Sequence, residues 1–183
     1  MPLLTIIAGP NGSGKSTLTK SADFDGRDRL VDPDAVARVL NPMNPSAVAI
    51  AAGREVLKRI ATYLDSGVSF AVETTLSGTG NIDLISRAKS RGYEVHLAFV
   101  GLDTPERSIT RVRSRAARGG HFVPEADVRR RYERSLANAS RALRLAGIAT
   151  FYDNSAGQAR LVLIAKDGTV VWQAAPLPGW LRL

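Results

Sequence analysis

Leu3-Leu-Thr-Ile-Ile-Ala-Gly-Pro-Asn-Gly-Ser-Gly-Lys-Ser-Thr17 is an apolar run that empties into a glycine-rich turn closed by Lys15 and Ser16. Gly9, four residues, then Gly14-Lys15-Ser16 fit the G-x-x-x-x-G-K-[ST] spacing, and Leu3–Ala8 supplies the strand that must precede it. The turn, Gly9-Pro10-Asn11-Gly12-Ser13-Gly14, lets successive backbone N–H groups point inward, and the positive end of the following helix aims at the same place. A polyphosphate is therefore the expected ligand of residues 9–17. Lys15 is expected at its terminal phosphates, with the Ser16 hydroxyl on Mg²⁺ and Thr17 beside it among the nucleotide-binding residues.

Outward from the loop, strand and helix patterns alternate. Lys15–Ala22 reads as a helix, and Leu30-Val31 as a short strand running into Asp32-Pro33-Asp34. Open α/β sheets bind ligands at the carboxyl ends of their strands, so Asp32 and Asp34 are expected in the same crevice as the loop. Asp32 is also placed to cap the helix that Pro33 opens. After the break Asn41–Pro45, Ser46 reads as the cap of a long helix with apolar positions Val48, Ala51, Ala52, Val56, Ile60 and Leu64. Val68–Val72 is a third strand and delivers Glu73-Thr74-Thr75 to the crevice. A helix over 82–90 and an apolar strand over 94–100 follow. Thr104-Pro105 opens a helix bearing Arg107, Arg111 and Arg115 on one face. Residues 118–123 break it, and Pro124-Glu125 opens another long helix, so the loop at about 115–125 reads as a helical lid. A fifth strand, 149–152, ends in Asp153-Asn154-Ser155, and 160–173 reads as a C-terminal β-hairpin around Lys166-Asp167-Gly168. This order predicts one α/β domain of the P-loop NTPase fold: a five-stranded, mostly parallel sheet flanked by helices, with the hairpin as an appendage and the tail packed through Trp180.

Composition narrows the function. The chain's 183 residues suit one domain, with 44% hydrophobic and 23% charged residues as in ordinary globular proteins. The N-terminal strand lacks a basic leader pattern, and no apolar run is long enough to span a bilayer, so a cytoplasmic location without membrane association is expected. The absence of cysteine excludes disulfides, thiolate catalysis and cysteine-held metals. The net charge of +8 is concentrated in residues 107–144, where eleven arginines face three carboxylates. Arginine's planar fork suits phosphate oxygens. Only Phe122 and Tyr132 are aromatic in that segment, so stacking platforms for nucleic acid are not expected.

A phosphate loop alone does not separate a kinase from a switch or a motor. No Asn-Lys-x-Asp base-reading element is present, and Val100-Gly101-Leu102-Asp103, the best candidate for a metal-binding strand end, is interrupted by glycine. A phosphotransferase needs an acceptor site, a carboxylate for the hydroxyl proton and cations to follow the migrating charge. Asp34 with Asp32, the Glu73-Thr74-Thr75 loop and the lid arginines supply these parts.

Ala8-Gly-Pro-Asn-Gly-Ser-Gly-Lys-Ser-Thr17, Val31-Asp-Pro-Asp34, Phe70-Ala-Val-Glu-Thr-Thr-Leu-Ser-Gly78, Arg118-Gly-Gly-His-Phe-Val-Pro-Glu125, Arg129-Arg-Arg-Tyr-Glu-Arg-Ser-Leu136 and Tyr152-Asp-Asn-Ser155 together resemble the compact, stand-alone zeta-toxin-like kinases. The resemblance implies a nucleoside-monophosphate-kinase-like core, ATP and Mg²⁺ as cofactors, a nucleotide sugar such as UDP-N-acetylglucosamine as hydroxyl acceptor, and an antitoxin-like protein partner. It implies Asp34 as the hydroxyl-activating carboxylate and Glu73 with Thr75 as acceptor-positioning groups. The same resemblance implies that Arg118 and one of Arg130 or Arg131 correspond to the lid arginines, that Arg111 and Arg115 flank the adenine or the phosphates, and that Asn154 contacts the base. Two further readings stay open: a polynucleotide 5′-hydroxyl kinase, and a weakly hydrolysing nucleotide-binding module that regulates or docks a partner.

Overall fold

In the computed structural model, which describes residues 1–120 and 122–182, the elements are β1 (Leu3–Ala8), α1 (Lys15–Ser21), β2 (Leu30–Val31), α2 (Pro33–Leu40), α3 (Ala49–Ser66), β3 (Phe70–Thr74), α4 (Gly80–Ser90), β4 (Glu94–Gly101), α5 (Pro105–Ala116), α6 (Glu125–Leu145), β5 (Ile148–Asp153), β6 (Arg160–Lys166) and β7 (Thr169–Gln173). The strands form one seven-stranded sheet in the order β2-β3-β1-β4-β5-β6-β7. β1 to β5 are mutually parallel, so their carboxyl ends share one edge. Near-continuous apolar strands fill the middle: Leu4, Ile6, Ala8, Phe70, Leu97, Phe99 and Phe151 are buried on one face of the sheet, and Ile7, Ala71 and Val100 on the other. Among the described residues, no helix is long and apolar enough to cross a membrane.

The hairpin is more than the expected appendage. β6 pairs antiparallel with β5, Phe151 opposite Leu163, so β6 and β7 extend the same sheet from five strands to seven. The buried residues of β6, Val162, Leu163 and Ala165, belong to the main core. The start of α3 also differs from expectation. A 3-10 turn, Pro45–Val48, precedes it, and Asn44 rather than Ser46 caps that turn by accepting from the Ala47 N–H. Asparagine is as good a cap as serine, and Pro45 fixes the first position after it.

α5 and α6 pack on each other through a separate small core of Ile109, Val112, Val123 and Val128. Farther along, α6 joins the main core through Ala139, Ala142 and Leu143. Thr104 caps α5 by accepting from the Arg107 N–H, as its sequence position predicts. The loop between the two helices carries the lid motif; His121 of that motif lies outside the described residues.

Candidate active site

The parallel strand ends frame a cleft of about 390 Å³ lined by residues of the 9–17 loop, the β2–α2 turn, the end of β3, α5, the lid and α6. Its depth comes from the loop's close seat on the sheet. Gly9 has φ +142°, and a Cβ there would lie 2.1 Å from the Val100 carbonyl oxygen, so only glycine lets the chain leave β1 across β4. Gly14, at φ +102°, leads directly into α1, which has neither a side-chain cap nor an acidic residue in its first turn. That positive end is available to an anion.

Lys15 is only 8% exposed, and its ammonium donates to the Pro10 carbonyl at 2.9 Å. Burial lowers its pKa to about 8, against the opposing pull of Glu73, Asp34 and Asp32. Glu73, at 9% exposure, accepts from the Ser16 hydroxyl at 2.8 Å with Oε1 and from the Thr19 hydroxyl at 3.0 Å with Oε2. Both oxygens thus accept from α1, and Glu73 lines the cleft beside Asp34 and Thr75. Thr74 accepts from the Leu76 N–H and the Asn81 amide, which fixes the loop after β3. Thr75 exchanges a 2.9 Å hydrogen bond with Ser77. Leu76, fully buried at φ +56°, is held by its carbonyl to the Asn138 amide at 2.9 Å.

Asp32 caps α2, accepting from the Asp34 N–H at 2.9 Å, and lies 3.6 Å from Arg38. Burial raises its pKa, and the Glu73 charge adds to the rise. Asp34, on the first turn of α2, is exposed and faces the cleft.

Of the expected cations, Arg111, Arg115 and Arg131 line the cleft with Lys15. Arg118 and Arg130 do not. Arg118 folds back on its own helix to the Ser114 carbonyl and hydroxyl, and Arg130 pairs with Asp127 at 2.7 Å. Helix geometry explains the choice between neighbours, since consecutive α6 residues are turned about 100° apart and only Arg131 faces inward. Much of the arginine segment is paired internally: Arg107 with Asp103, Arg113 with Glu125, Arg129 with Glu106. Asn154 reaches the phosphate loop from the turn after β5. Its amide donates to the Ser13 carbonyl at 2.7 Å, and its own carbonyl accepts from Arg111 at 2.8 Å. Arg111 reaches the Gly12 carbonyl as well, so the two side chains brace the phosphate loop. Pro10 and Ser13 lie within the loop behind the cleft, while Asn11 and Gly12 line it.

Sequence reasoning missed Thr19, Val123, Asn138 and Tyr132. Thr19 follows Lys15 by one helical turn, which was the available signal. The Tyr132 hydroxyl donates to the Leu102 carbonyl at 2.8 Å, and burial pushes its pKa up to about 12.

Residues 1–166 match the sequence model of the Zeta toxin family. An uncharacterized protein of Haemophilus influenzae is 38% identical over 124 residues, covering 68% of this chain and 88% of that protein. A structure of AvrRxo1-ORF1:-ORF2 with ATP superposes with TM-score 0.71 at 19% identity, over 93% of this chain and 60% of that one. A structure from the PezAT chromosomal toxin–antitoxin system of Streptococcus pneumoniae superposes with TM-score 0.61 at 16% identity, over 94% of this chain and 70% of that one. At those identities the likeness to the solved structures is one of fold. The family match, however, runs through every strand end and loop that lines the cleft, and the chain belongs to the zeta toxin family.

Proposed function

We propose that the protein is an ATP-dependent kinase that transfers a phosphoryl group to a hydroxyl of a small molecule. The observation that carries this reading is the meeting, in one cleft, of a complete phosphate loop, a set of carboxylates at the β2 and β3 ends, and cations from α5 and α6. The structure's chemistry fits both implied groups. Among the described residues the buried Lys15 ammonium has one hydrogen-bond acceptor, the Pro10 carbonyl, and a phosphate would restore its lost solvation. The Ser16 hydroxyl beside the Glu73 carboxylate offers hard oxygen ligands. Among the described residues no larger carboxylate cage is present, which suits a Mg²⁺ held by one or two protein oxygens together with phosphates and water. Bound there, the metal would neutralise charge on the phosphate oxygens.

In this reading residues 9–16 hold the donor phosphates through backbone N–H groups, and Lys15 follows the charge that develops between the β- and γ-positions. Asp34 takes the acceptor's hydroxyl proton. Its place on the exposed first turn of α2 lets an acceptor approach from solvent, while Asp32 holds that turn from behind. Arg115 and Arg131 meet the transferring group from the opposite side. Thr75 is the acceptor-side hydroxyl of the β3 loop.

A nucleotide sugar, UDP-N-acetylglucosamine first, is the acceptor to test, and an antitoxin-like protein is the partner to seek. Two of the superposed structures, the two-protein AvrRxo1-ORF1:-ORF2 structure and the one from a toxin–antitoxin system, support the search for a partner. The test is ATP consumption against panels of nucleotide sugars, nucleosides and oligonucleotides, with mass spectrometry of the product. Acceptor-dependent ADP release that is lost in both Lys15→Ala and Asp34→Asn is expected. Acceptor-dependent release that survives Asp34→Asn would remove Asp34 from its role.

A further inference from the structure

Residues 174–182, beyond the family match, run back across the sheet to the edge that carries the cleft, where Trp180 is 7% exposed. Its indole lies over the Cα of Gly101: a Cβ at that position would sit 2.3 Å from the ring. On the same side it extends an aromatic column, with centroids 5.9 Å from Phe99, which stacks at 5.3 Å on Phe151. The tail is pinned beside it, since Leu181 is buried and the Ser140 hydroxyl donates to the Arg182 carbonyl.

The polar edge of the indole reaches the turn after β5. Trp180 Nε1–H donates to Asp153 Oδ1 at 3.0 Å. The same oxygen accepts from the Ser155 hydroxyl at 2.5 Å and the Ser155 N–H at 3.2 Å, which closes the turn after β5. Ser155 Oγ in turn accepts from the Asp103 N–H at 2.9 Å, and the Asn154 N–H donates to the Gly101 carbonyl at 3.1 Å. From the front of this turn, Asn154 grips the Ser13 carbonyl, and Arg111 ties Asn154 to Gly12. The phosphate loop thus rests on the 153–155 turn, and the turn rests on Trp180.

We propose that Trp180 is a positioning residue for the phosphate loop: by fixing the 153–155 turn from behind, it holds Gly12–Gly14 in the conformation that receives phosphate. The loop's fit depends on this support. A Cβ at Gly14 would lie 2.5 Å from the Asn154 amide nitrogen, so the two are in close contact and a small shift of the turn moves the loop. Gly101 has a second purpose here, because the glycine that interrupts the end of β4 makes room for the indole.

The inference rests on the nucleotide reading of the cleft only for its affinity readout; loop protection is measured without ligand. Trp180→Phe keeps an aromatic ring against Phe99 and removes the N–H. Hydrogen exchange of the full-length variant is expected to quicken in residues 10–16 and 153–156 while strands β1 and β3 keep their protection. Affinity for MgATP by calorimetry is expected to fall roughly three- to tenfold, the range for one lost hydrogen bond in a coupled network. Asp153→Asn keeps an acceptor oxygen and is expected to retain near wild-type loop protection. Gly101→Ala, which pushes the indole from the other side, is expected to reproduce the Trp180→Phe pattern. Uniformly faster exchange across the sheet in Trp180→Phe, or unchanged exchange in residues 10–16, overturns the proposal. If the loop responds as expected but the wild-type protein does not bind MgATP, Trp180 keeps its positioning role and the nucleotide reading fails.

Discussion

Nucleotide binding should draw a proton from solution above neutral pH, and Lys15 sets the range. Its folded pKa of about 8 lies below the usual lysine value of 10.5, chiefly because it is buried. The sign follows from the direction: between those two values the unfolded chain holds the proton and the folded, ligand-free protein does not. Through Lys15, stability therefore rises as pH climbs from about 8 toward 10.5, while the charged form needed by a phosphate becomes scarcer. A bound triphosphate restores the charge. The proton taken up per MgATP is then about 0.1 at pH 7, about 0.5 at pH 8 and about 0.9 at pH 9. Affinity falls about tenfold from pH 7 to pH 9, or about 1.4 kcal/mol. Calorimetry in buffers of low and high ionisation enthalpy measures the uptake directly. Lys15→Arg, whose charge does not titrate in this range, should abolish it. Uptake that is flat from pH 7 to pH 9, or that persists in Lys15→Arg, would refute the assignment.

Glu73→Gln removes a charge that supports the Lys15 ammonium, so the midpoint of proton uptake should move below pH 8; Mg²⁺-dependent phosphoryl transfer should fall by about a hundredfold or more in the same variant. Asp32→Ala and Asp34→Asn should separate, the first lowering stability in denaturant titration by about 1 kcal/mol through the lost cap, the second leaving stability within about 0.5 kcal/mol while stopping transfer. Gly9→Ala should cost more than about 3 kcal/mol, read as a large fall in thermal midpoint, because the new methyl meets the Val100 carbonyl. Tyr132→Phe should cost about 1 kcal/mol by denaturant titration, and absorbance of the wild-type phenolate from this residue should appear only near pH 12.

The sequence disclosed those parts whose signals are local. The 9–17 loop, the Asp32 cap, the Thr104-Pro105 helix start and the hairpin around Asp167-Gly168 each follow from a few consecutive residues. Pairing of β6 with β5 does not, because strand partners are chosen by burial: Val162 and Leu163 find the core beside Phe151 only in three dimensions. The choice of Arg131 over Arg130 turns on helical phase against a neighbouring helix. Asn154 and Glu73 stand at the expected edge, but their hydrogen bonds to Ser13, Ser16 and Thr19 are not legible, since an amide or a carboxylate does not reveal from sequence which hydrogen bond it will complete.

The small core shared by Ile109, Val112, Val123 and Val128 divides the molecule unequally. Four aliphatic side chains contribute on the order of 5–10 kcal/mol before the entropy of ordering two helix segments is set against them. The second half of α6 stays bound to the sheet through Ala139, Ala142 and Leu143. α5 and the first turns of α6 are then expected to open at lower cost than the strands, as faster hydrogen exchange there would register. Arg111, Arg115 and Arg131 stand on these helices, with Arg111 tied to the phosphate loop, whereas Lys15, Asp34 and Glu73 stand on elements of the main sheet and its flanks. The cations that would follow a moving phosphoryl group are carried by helices that meet through a small core of their own.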